Sequence, residues 1–178
     1  MTADDDAYVT AWFTDLEELC RATGRDPGQV RRLVLEGRLP LPSYLRSDDA
    51  EMVPADLFGL ADRAGGVEAL EGWFLEHWED QAAAKEEWGA YLDGQFVCLR
   101  SVTPHNIQRK GTLVTAIEAA PGEPDAGTPA WTRRLHALVD ELDALEPPFT
   151  AYDRLRFAGP VSRDRCINAV RARHPRAA

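Results

Sequence analysis

The stretch with the most reactive side chains runs from residue 88 to residue 110, WGAYLDGQFVCLRSVTPHNIQRK. It contains the thiol of Cys98, the imidazole of His105 and three cations, Arg100, Arg109 and Lys110. A thiol whose pKa is lowered by a nearby cation is a nucleophile, and an imidazole can act as its base. Cys98 and His105 are therefore the candidate catalytic residues. The alternative is that Cys98, in the apolar run FVCL, is a small buried hydrophobe.

A second cation-rich stretch, FTAYDRLRFAGPVSRDR, covers residues 149–165. Both stretches include a predicted helix start, at Thr103 and at Ser162, and a helix N-terminus attracts anions. If the stretches meet in the fold, their cations form a pocket for a carboxylate or a phosphate. The candidate ligand-binding residues are Arg100, Arg109, Lys110, Tyr152, Arg154, Arg156 and Arg163. The alternative is that Asp153, Asp164 and the carbonyls at helix ends pair with these arginines and hold loops in place.

Composition and charge exclude several classes of protein. The chain has 178 residues and a net charge of −10, which argues against a protein that coats nucleic acid or an anionic membrane. It has no apolar run of about eighteen residues, and its N-terminus carries three consecutive aspartates, unlike a signal peptide. We therefore expect a cytoplasmic protein without a membrane partner.

Cysteine spacing and motif content argue against metal and cofactor chemistry. Cys20, Cys98 and Cys166 lie far apart and form no CxxC pair, so neither a disulfide framework nor a zinc knuckle is predicted. The sequence also lacks a glycine-rich phosphate loop and the HExxH and GxSxG motifs. No cofactor and no metal site follow from the sequence, and whether the chain catalyses a reaction stays open.

Two short helices are predicted near the N-terminus. Thr14 and Glu17 have the spacing of a capping box that opens the first helix, and Gly24 ends it. Asp26 and Pro27 begin the second helix as its N-cap and its first helical residue. The two helices form a helix-turn-helix pattern, and the proline-rich segment LPLPSY that follows is predicted to be extended.

The order TDLEELCRATGRDPGQVRRLVLEGRLPLPSY, followed by a short wing-like turn, resembles the N-terminal half of MerR-type and excisionase-type winged-helix domains. In those families the second helix enters the major groove of DNA. Residues 21–46 also carry six arginines against two acids. The resemblance implies that the DNA-contacting residues would be Gln29, Arg31, Arg32, Arg38 and Arg46. The alternative is a packing module whose arginines are solvated.

The remainder of the chain is also predicted to be helical. Residues 67–88 have apolar side chains at helical spacings of three and four. A linker rich in proline and glycine covers residues 121–129, and Thr128 with Pro129 begins a further helix. The predicted fold is all-α, with a winged-helix-like module at residues 1–66 packed on a helical domain at residues 67–178.

Three segments carry a family resemblance: LPLPSY, YLDGQFVCLRSVTPHNIQRK and LEPPFTAYDRLRFAGPVSRDR. With these segments the chain resembles, over nearly its whole length, an actinobacterial family named domain of unknown function 6058. Members of this family are often described as natural product biosynthesis proteins. The resemblance implies a role near a pathway of secondary metabolism, and it implies no catalytic residues.

Two functional hypotheses follow. In the first, the helical domain binds a small anionic metabolite or a carrier-tethered intermediate, as an accessory protein or enzyme of natural product biosynthesis. The alternative is a ligand-responsive MerR-like transcriptional regulator that binds DNA through residues 21–46. The family resemblance and the acidic total charge favour the first hypothesis, and the helix-turn-helix order favours the second. Regulators of this kind usually dimerise, and the sequence has no long heptad helix for that purpose.

Overall fold

Helices make up most of the chain. The computed structural model describes residues 1–176, in which ten α-helices accompany one small sheet of three strands. This confirms the prediction of a mostly α-helical fold. The chain divides into two compact units, Met1–His105 (unit 1) and Asn106–Ala178 (unit 2). No helix within the described residues is both long enough and apolar enough to cross a membrane.

Unit 1 consists of short helices and a small antiparallel sheet. Its elements in chain order are α1 (Ala3–Trp12), β1 (Thr14–Asp15), α2 (Leu16–Thr23), α3 (Pro27–Leu35), β2 (Tyr44–Leu45), β3 (Glu51–Val53), α4 (Gly59–Ala64), α5 (Val67–Leu75), α6 (Gln81–Leu92) and a 3-10 turn at Gln95–Cys98. The strand order is β1-β3-β2, with Thr14 opposite Val53 and Tyr44 opposite Met52. The sheet therefore ties the start of α2 to the hairpin that follows α3.

The start of α2 differs from the predicted capping box. Asp15, and not Thr14, is the N-cap, because its carboxylate accepts hydrogen bonds from the backbone N–H groups of Glu17 at 2.8 Å and Glu18 at 3.0 Å. Thr14 pairs with β3 instead. The pairing with Val53, far along the chain, thus decides the conformation of Thr14, although the local sequence pattern indicates a cap.

The start of α3 agrees with the sequence prediction. Gly24 ends α2 with φ of +67°, a conformation that favours glycine. The Asp26 carboxylate then caps α3 by accepting a hydrogen bond from the backbone N–H of Gln29 at 2.6 Å, and Pro27 is the first helical residue. Both helix ends are set by contacts within a few residues, which is why the sequence predicts them.

The acidic N-terminus forms a helix that the sequence analysis did not predict. The Thr2 hydroxyl accepts a hydrogen bond from the backbone N–H of Asp5, and the Asp5 carboxylate accepts one from the backbone N–H of Thr2 at 2.8 Å. The aspartates of this first turn lie at the positive end of the helix dipole, which stabilises them. Their clustering is therefore a helix-start signal.

Helix α5 packs against both α4 and α6. Its residues Leu70 and Phe74 are completely buried. Because α4 and α5 are in close contact, they belong to the same compact unit, which ends at His105.

The end of α6 lies close to the proline-rich segment that follows α3. The backbone N–H of Leu41 donates a hydrogen bond to the carbonyl of Leu92 at 2.8 Å. Gly94 has φ of +64°, and a Cβ atom at this position would lie 3.1 Å from the Leu41 carbonyl oxygen. A glycine is thus required twice here, by its backbone angle and by the close approach of Leu41.

Unit 2 contains helices and no strand within its described residues. Most of α7 (Pro104–Ala119) belongs to it, followed by a 3-10 turn at Ala120–Gly122, α8 (Pro129–Leu145), α9 (Ala151–Arg156), a π-helix at Arg163–Asn168 and α10 (Ala169–Arg173). The predicted start of α8 is confirmed, because the Thr128 hydroxyl accepts a hydrogen bond from the backbone N–H of Trp131. The buried core of unit 2 is formed by Leu113, Ile117, Ala120, Trp131, Leu135, Val139, Leu142, Cys166 and Ile167.

Ser162 does not have the predicted role of a helix N-cap. Its backbone is itself helical, with φ of −52°, and its side chain makes no capping hydrogen bond. The hydroxyl donates instead to the buried carboxylate of Glu146. A partner sixteen residues away replaces the local backbone N–H that the cap prediction assumed.

Replacing Gly94 by alanine should destabilise the protein. The left-handed backbone and the contact with the Leu41 carbonyl together predict a loss of about 2 kcal/mol in the free energy of unfolding. Gly89→Ala is the matched control, because Gly89 lies inside α6 and its added Cβ would meet no atom within 4 Å. We expect Gly89→Ala to be neutral or to stabilise by about 0.5–1 kcal/mol. Urea denaturation measures both, and equal effects would contradict the constraint assigned to Gly94.

Candidate functional site

Unit 1 contains a cleft with apolar walls and several polar groups. Three segments form it: the chain after α3, the chain after β3, and the end of α6 with the turn that follows. Its lining residues are Pro40, Leu41, Ser43, Pro54, Asp56, Leu57, Leu60, Tyr91, Gly94, Phe96, Val97 and Val102. The contact between Leu41 and the end of α6 brings the first and third segments together. Two family-resemblance segments, LPLPSY and the one beginning at Tyr91, therefore supply much of the lining.

Tyr91 is the most deeply buried polar residue of the cleft. Its side chain is 4% exposed, and its ring packs against Phe74 at 5.6 Å and Trp88 at 5.2 Å between centroids. Within residues 1–176 its hydroxyl has no hydrogen-bond partner. Burial, and then the nearby charge of Asp56, raise the pKa of Tyr91, so the phenol stays protonated at neutral pH.

Asp56 supplies the negative charge of the cleft. Its Oδ2 atom accepts a hydrogen bond from the Ser101 hydroxyl at 2.5 Å. Its Oδ1 atom has no hydrogen-bond partner, and no cation pairs with this carboxylate, among the residues that the structure describes. The cleft thus contains a half-buried carboxylate oxygen and a phenol hydroxyl whose hydrogen-bonding capacity is unused within the chain.

The cleft is small. Its volume is about 30 Å³, which is enough for one or two atoms of the size of water. A larger ligand would therefore place a single small group inside, and its remainder would lie against the apolar walls at the mouth.

The sequence-predicted catalytic residues lie in unit 1 but do not line this cleft. Cys98 is half-buried at the end of the 3-10 turn, and His105 is exposed in the first turn of α7. Arg100 is exposed, with its guanidinium group 4.3 Å from the centre of the Trp12 ring. The other two thiols are completely buried, and burial raises the pKa of Cys20 and raises the pKa of Cys166 to about 11.

Two of the predicted cations near the start of α7 pair with acids of unit 2. Arg109 forms two hydrogen bonds with Glu141, each 2.5 Å long. Lys110 forms an ion pair with Glu146 at 3.1 Å between Nζ and Oε1, and the Glu146 side chain is completely buried. A buried carboxylate needs a cation beside it, and Lys110 supplies that cation to Glu146.

Arg154 and Arg163 hold the chain segment between α8 and α9. Arg154 binds both carboxylate oxygens of Asp164, at 2.8 and 2.5 Å, and lowers the pKa of Asp164. It also donates to the carbonyls of residues 149 and 150. Arg163 binds Asp143 at 2.6 Å and donates to the carbonyls of residues 146 and 147. These contacts correspond to the structural alternative, in which acids and carbonyls pair with the arginines and hold loops.

The remaining predicted ligand residues lie on α9. Tyr152 is half-buried, and Arg156 is exposed with its guanidinium group 5.6 Å from the centre of the Phe157 ring. The structure therefore brings the cations of residues 149–165 into one unit, but it engages Arg154 and Arg163 with acids of the same unit.

Two of the residues predicted to contact DNA are bound to carboxylates of unit 1. Arg31 donates to Glu51 at 2.6 Å and to Glu17 at 3.0 Å, and these contacts raise its pKa. Arg46 makes two hydrogen bonds with Asp48, at 2.8 and 2.7 Å, and lowers the pKa of Asp48 to about 2. Their charges are therefore neutralised at short range.

The other three predicted DNA contacts differ among themselves. Arg38 forms ion pairs with Glu68 and, at 3.8 Å, with Glu36. Gln29 and Arg32 are exposed on α3. The exposed face of α3 thus retains two polar side chains that are able to reach a partner.

Sequence reasoning did not select the polar groups of the cleft. Tyr91 lies in the stretch from residue 88 to residue 110, whose cations and thiol are the more obvious reactive groups. Asp56 lies two residues after Pro54, where an acid is usually part of a turn. Within residues 1–176, no three His, Cys, Asp or Glu side chains converge as a metal site requires. Spatial proximity to an apolar wall identifies Asp56, and no local pattern carries that signal.

A protein-family model matches more than half of the chain. Residues 70–175 match the model of a family of unknown function, DUF6058. The chain belongs to this family. The DUF6058 match begins after LPLPSY, so that segment of the resemblance lies outside it. No curated protein and no solved structure matches the chain.

Breaking the buried ion pair of this DUF6058 chain should strongly destabilise unit 2. Lys110→Met leaves the Glu146 carboxylate buried without a cation, which predicts a loss of about 3 kcal/mol in the free energy of unfolding. Adding Glu146→Gln to this variant should recover part of the loss, because the buried charge is removed.

Arg134→Met is the control for the Lys110 variant. Arg134 pairs with Glu123 and Asp125 on the surface, so its removal should cost less than about 1 kcal/mol. Chemical denaturation of the three variants gives the comparison. Similar losses for Lys110→Met and Arg134→Met would show that burial does not govern the Lys110 pair.

Proposed function

We propose that this chain is an accessory ligand-binding protein and that the cleft of unit 1 holds its ligand. The observation that carries the proposal is a pair of polar atoms without a hydrogen-bond partner among the described residues, the Tyr91 hydroxyl and Asp56 Oδ1, in a mostly apolar cleft that Ser43 also lines. Specific ligand sites combine apolar walls with a few polar groups that the ligand is able to reach. Binding is favoured over catalysis because no nucleophile with a neighbouring base lines the cleft.

We place the ligand in the cleft, although the sequence pointed to the cation-rich segments. Arg109, Lys110, Arg154 and Arg163 are already paired with acids of unit 2. An anionic ligand at these residues would have to displace carboxylates that are held in place by the same chain. The resemblance to natural product biosynthesis proteins supports a pathway intermediate, free or carrier-tethered, as the natural ligand.

Three six-carbon probes with different head groups test the ligand site: hexanol, hexanoate and hexylamine. We expect at least one of them to shift the amide NMR signals of Gly94, Phe96 and Val102 in the full-length protein, with affinities of about 0.1–10 mM for such small ligands. Leu41→Trp should abolish the shifts, because Leu41 lies at the half-exposed rim and a larger ring would close the mouth.

The matched control is Leu35→Trp. Leu35 lies at the end of α3, is 85% exposed and does not line the cleft, so this variant should bind the probe as the parent protein does. Failure of all three probes to bind, or binding that persists in Leu41→Trp, would overturn the proposed ligand site.

A second candidate function is that of a ligand-responsive DNA-binding regulator. The arrangement of α2, a short turn and α3, followed by the β2–β3 hairpin, supports this candidate, and so do the exposed side chains of Gln29 and Arg32. The pairing of Arg31, Arg38 and Arg46 with acids weighs against it, because these groups would otherwise reach phosphates.

The salt dependence of the affinity for DNA tests the regulator candidate. If unit 1 binds DNA, affinity for DNA from around the gene should fall steeply between about 50 and 200 mM salt, and Arg32→Ala should weaken it. Since the paired arginines carry little free charge, we expect no measurable binding at the lower salt concentration. Tight, sequence-selective binding that Arg32→Ala reduces would establish the regulator in place of the accessory protein.

A further inference from the structure

The charge and size of the cleft in unit 1 indicate which ligands it selects. We propose that the cleft is specific for a primary ammonium group on an apolar stem, with the ammonium bound between Asp56 and Tyr91. This inference rests on the proposed function and deepens it, since it names the chemical class of the ligand.

The Asp56 carboxylate pairs with no cation among residues 1–176. Elsewhere in unit 1, the acids Glu51, Asp62 and Asp48 each pair with an arginine. Asp56 has no such partner among the described residues, and it stands against apolar side chains of the cleft. A carboxylate next to apolar walls is only partly solvated, so a cation brought beside it interacts more strongly than at the open surface. The same charge repels an anionic ligand.

Two oxygen atoms of the cleft are available to accept hydrogen bonds from a ligand. Asp56 Oδ1 accepts a hydrogen bond from a ligand, and so does the oxygen of the Tyr91 hydroxyl. A primary ammonium carries three N–H donors and satisfies both acceptors at once, whereas an alcohol has one donor. The cleft therefore discriminates between these two head groups by charge and by donor count.

The cleft is small. Its volume of about 30 Å³ admits a group of the size of an ammonium. A trimethylammonium group has no N–H to donate, so it would leave both acceptors without a hydrogen bond. The apolar stem would then lie against Pro40, Leu41, Phe96 and Val102 towards the mouth. The selected class is a primary alkylamine, and quaternary amines are rejected.

Amide NMR titrations of the full-length protein with hexylamine, hexanol and hexyltrimethylammonium test the inference at neutral pH and fixed ionic strength. Hexylamine should bind about 10-fold or more tightly than hexanol, because a hydrogen-bonded ion pair replaces a neutral contact. Hexyltrimethylammonium should not shift the signals of the cleft. Asp56→Asn should weaken hexylamine about 10-fold and leave hexanol within about twofold. Tyr91→Phe should weaken hexylamine by a smaller factor, about threefold to tenfold.

Asp93→Asn is the matched control for charge. Asp93 is exposed at the end of α6 and does not line the cleft, so its change removes the same charge without altering the site. Hexylamine affinity should be unchanged in this variant. An equal loss in Asp56→Asn and Asp93→Asn would overturn the inference, because it would reduce the preference to general attraction towards an acidic protein.

The outcomes separate this inference from the function on which it rests. If hexanol or hexanoate binds in the cleft as tightly as hexylamine, the ammonium specificity is wrong and the ligand site stands. If none of the probes binds, the ligand site itself is wrong. A fold check by thermal unfolding accompanies each variant, and Tyr91→Phe provides a second test should Asp56→Asn fail to fold.

Discussion

The organisation of unit 1 depends on the close contact between the chain at Leu41 and the end of α6. The hydrogen bond from Leu41 to Leu92 fixes an otherwise irregular proline-rich segment against a helix. Gly94 makes the contact sterically feasible, since a side chain there would press on the Leu41 carbonyl. This contact holds the segment bearing Ser43 beside the segment bearing Tyr91. The candidate site therefore depends on a backbone contact as well as on its side chains.

The features that the sequence predicted correctly are those decided within a few residues. Asp26 and Pro27 begin α3, and Thr128 begins α8, because a cap needs only the N–H groups of the next turn. The N-cap predictions for Thr14 and Ser162 were wrong because the partners of these residues lie far along the chain. Thr14 pairs with Val53 in the sheet, and Ser162 bonds the buried Glu146. No local pattern contains that information.

The candidate site was less predictable than the fold, and the reason is electrostatic. A cluster of arginines in a sequence shows that charge is present, but it does not show whether an acid of the same chain already neutralises it. Arg154 and Arg163 illustrate the second case, with Asp164 and Asp143 as their partners. Asp56 illustrates the reverse, because no cation of the described chain pairs with it. That absence becomes visible only when the residues around Asp56 in space are known.

The aromatic stack beneath the cleft has an optical consequence. Tyr91, whose hydroxyl belongs to the cleft, stacks on the indole of Trp88, and both rings contact Phe74. Indole emission responds to changes in the electric field and in the polarity around the ring. A charged group entering beside Tyr91 changes the field a few ångströms from Trp88. A charged ligand in the proposed site should therefore change the emission of Trp88, measured with no label against the emission of the other four tryptophans.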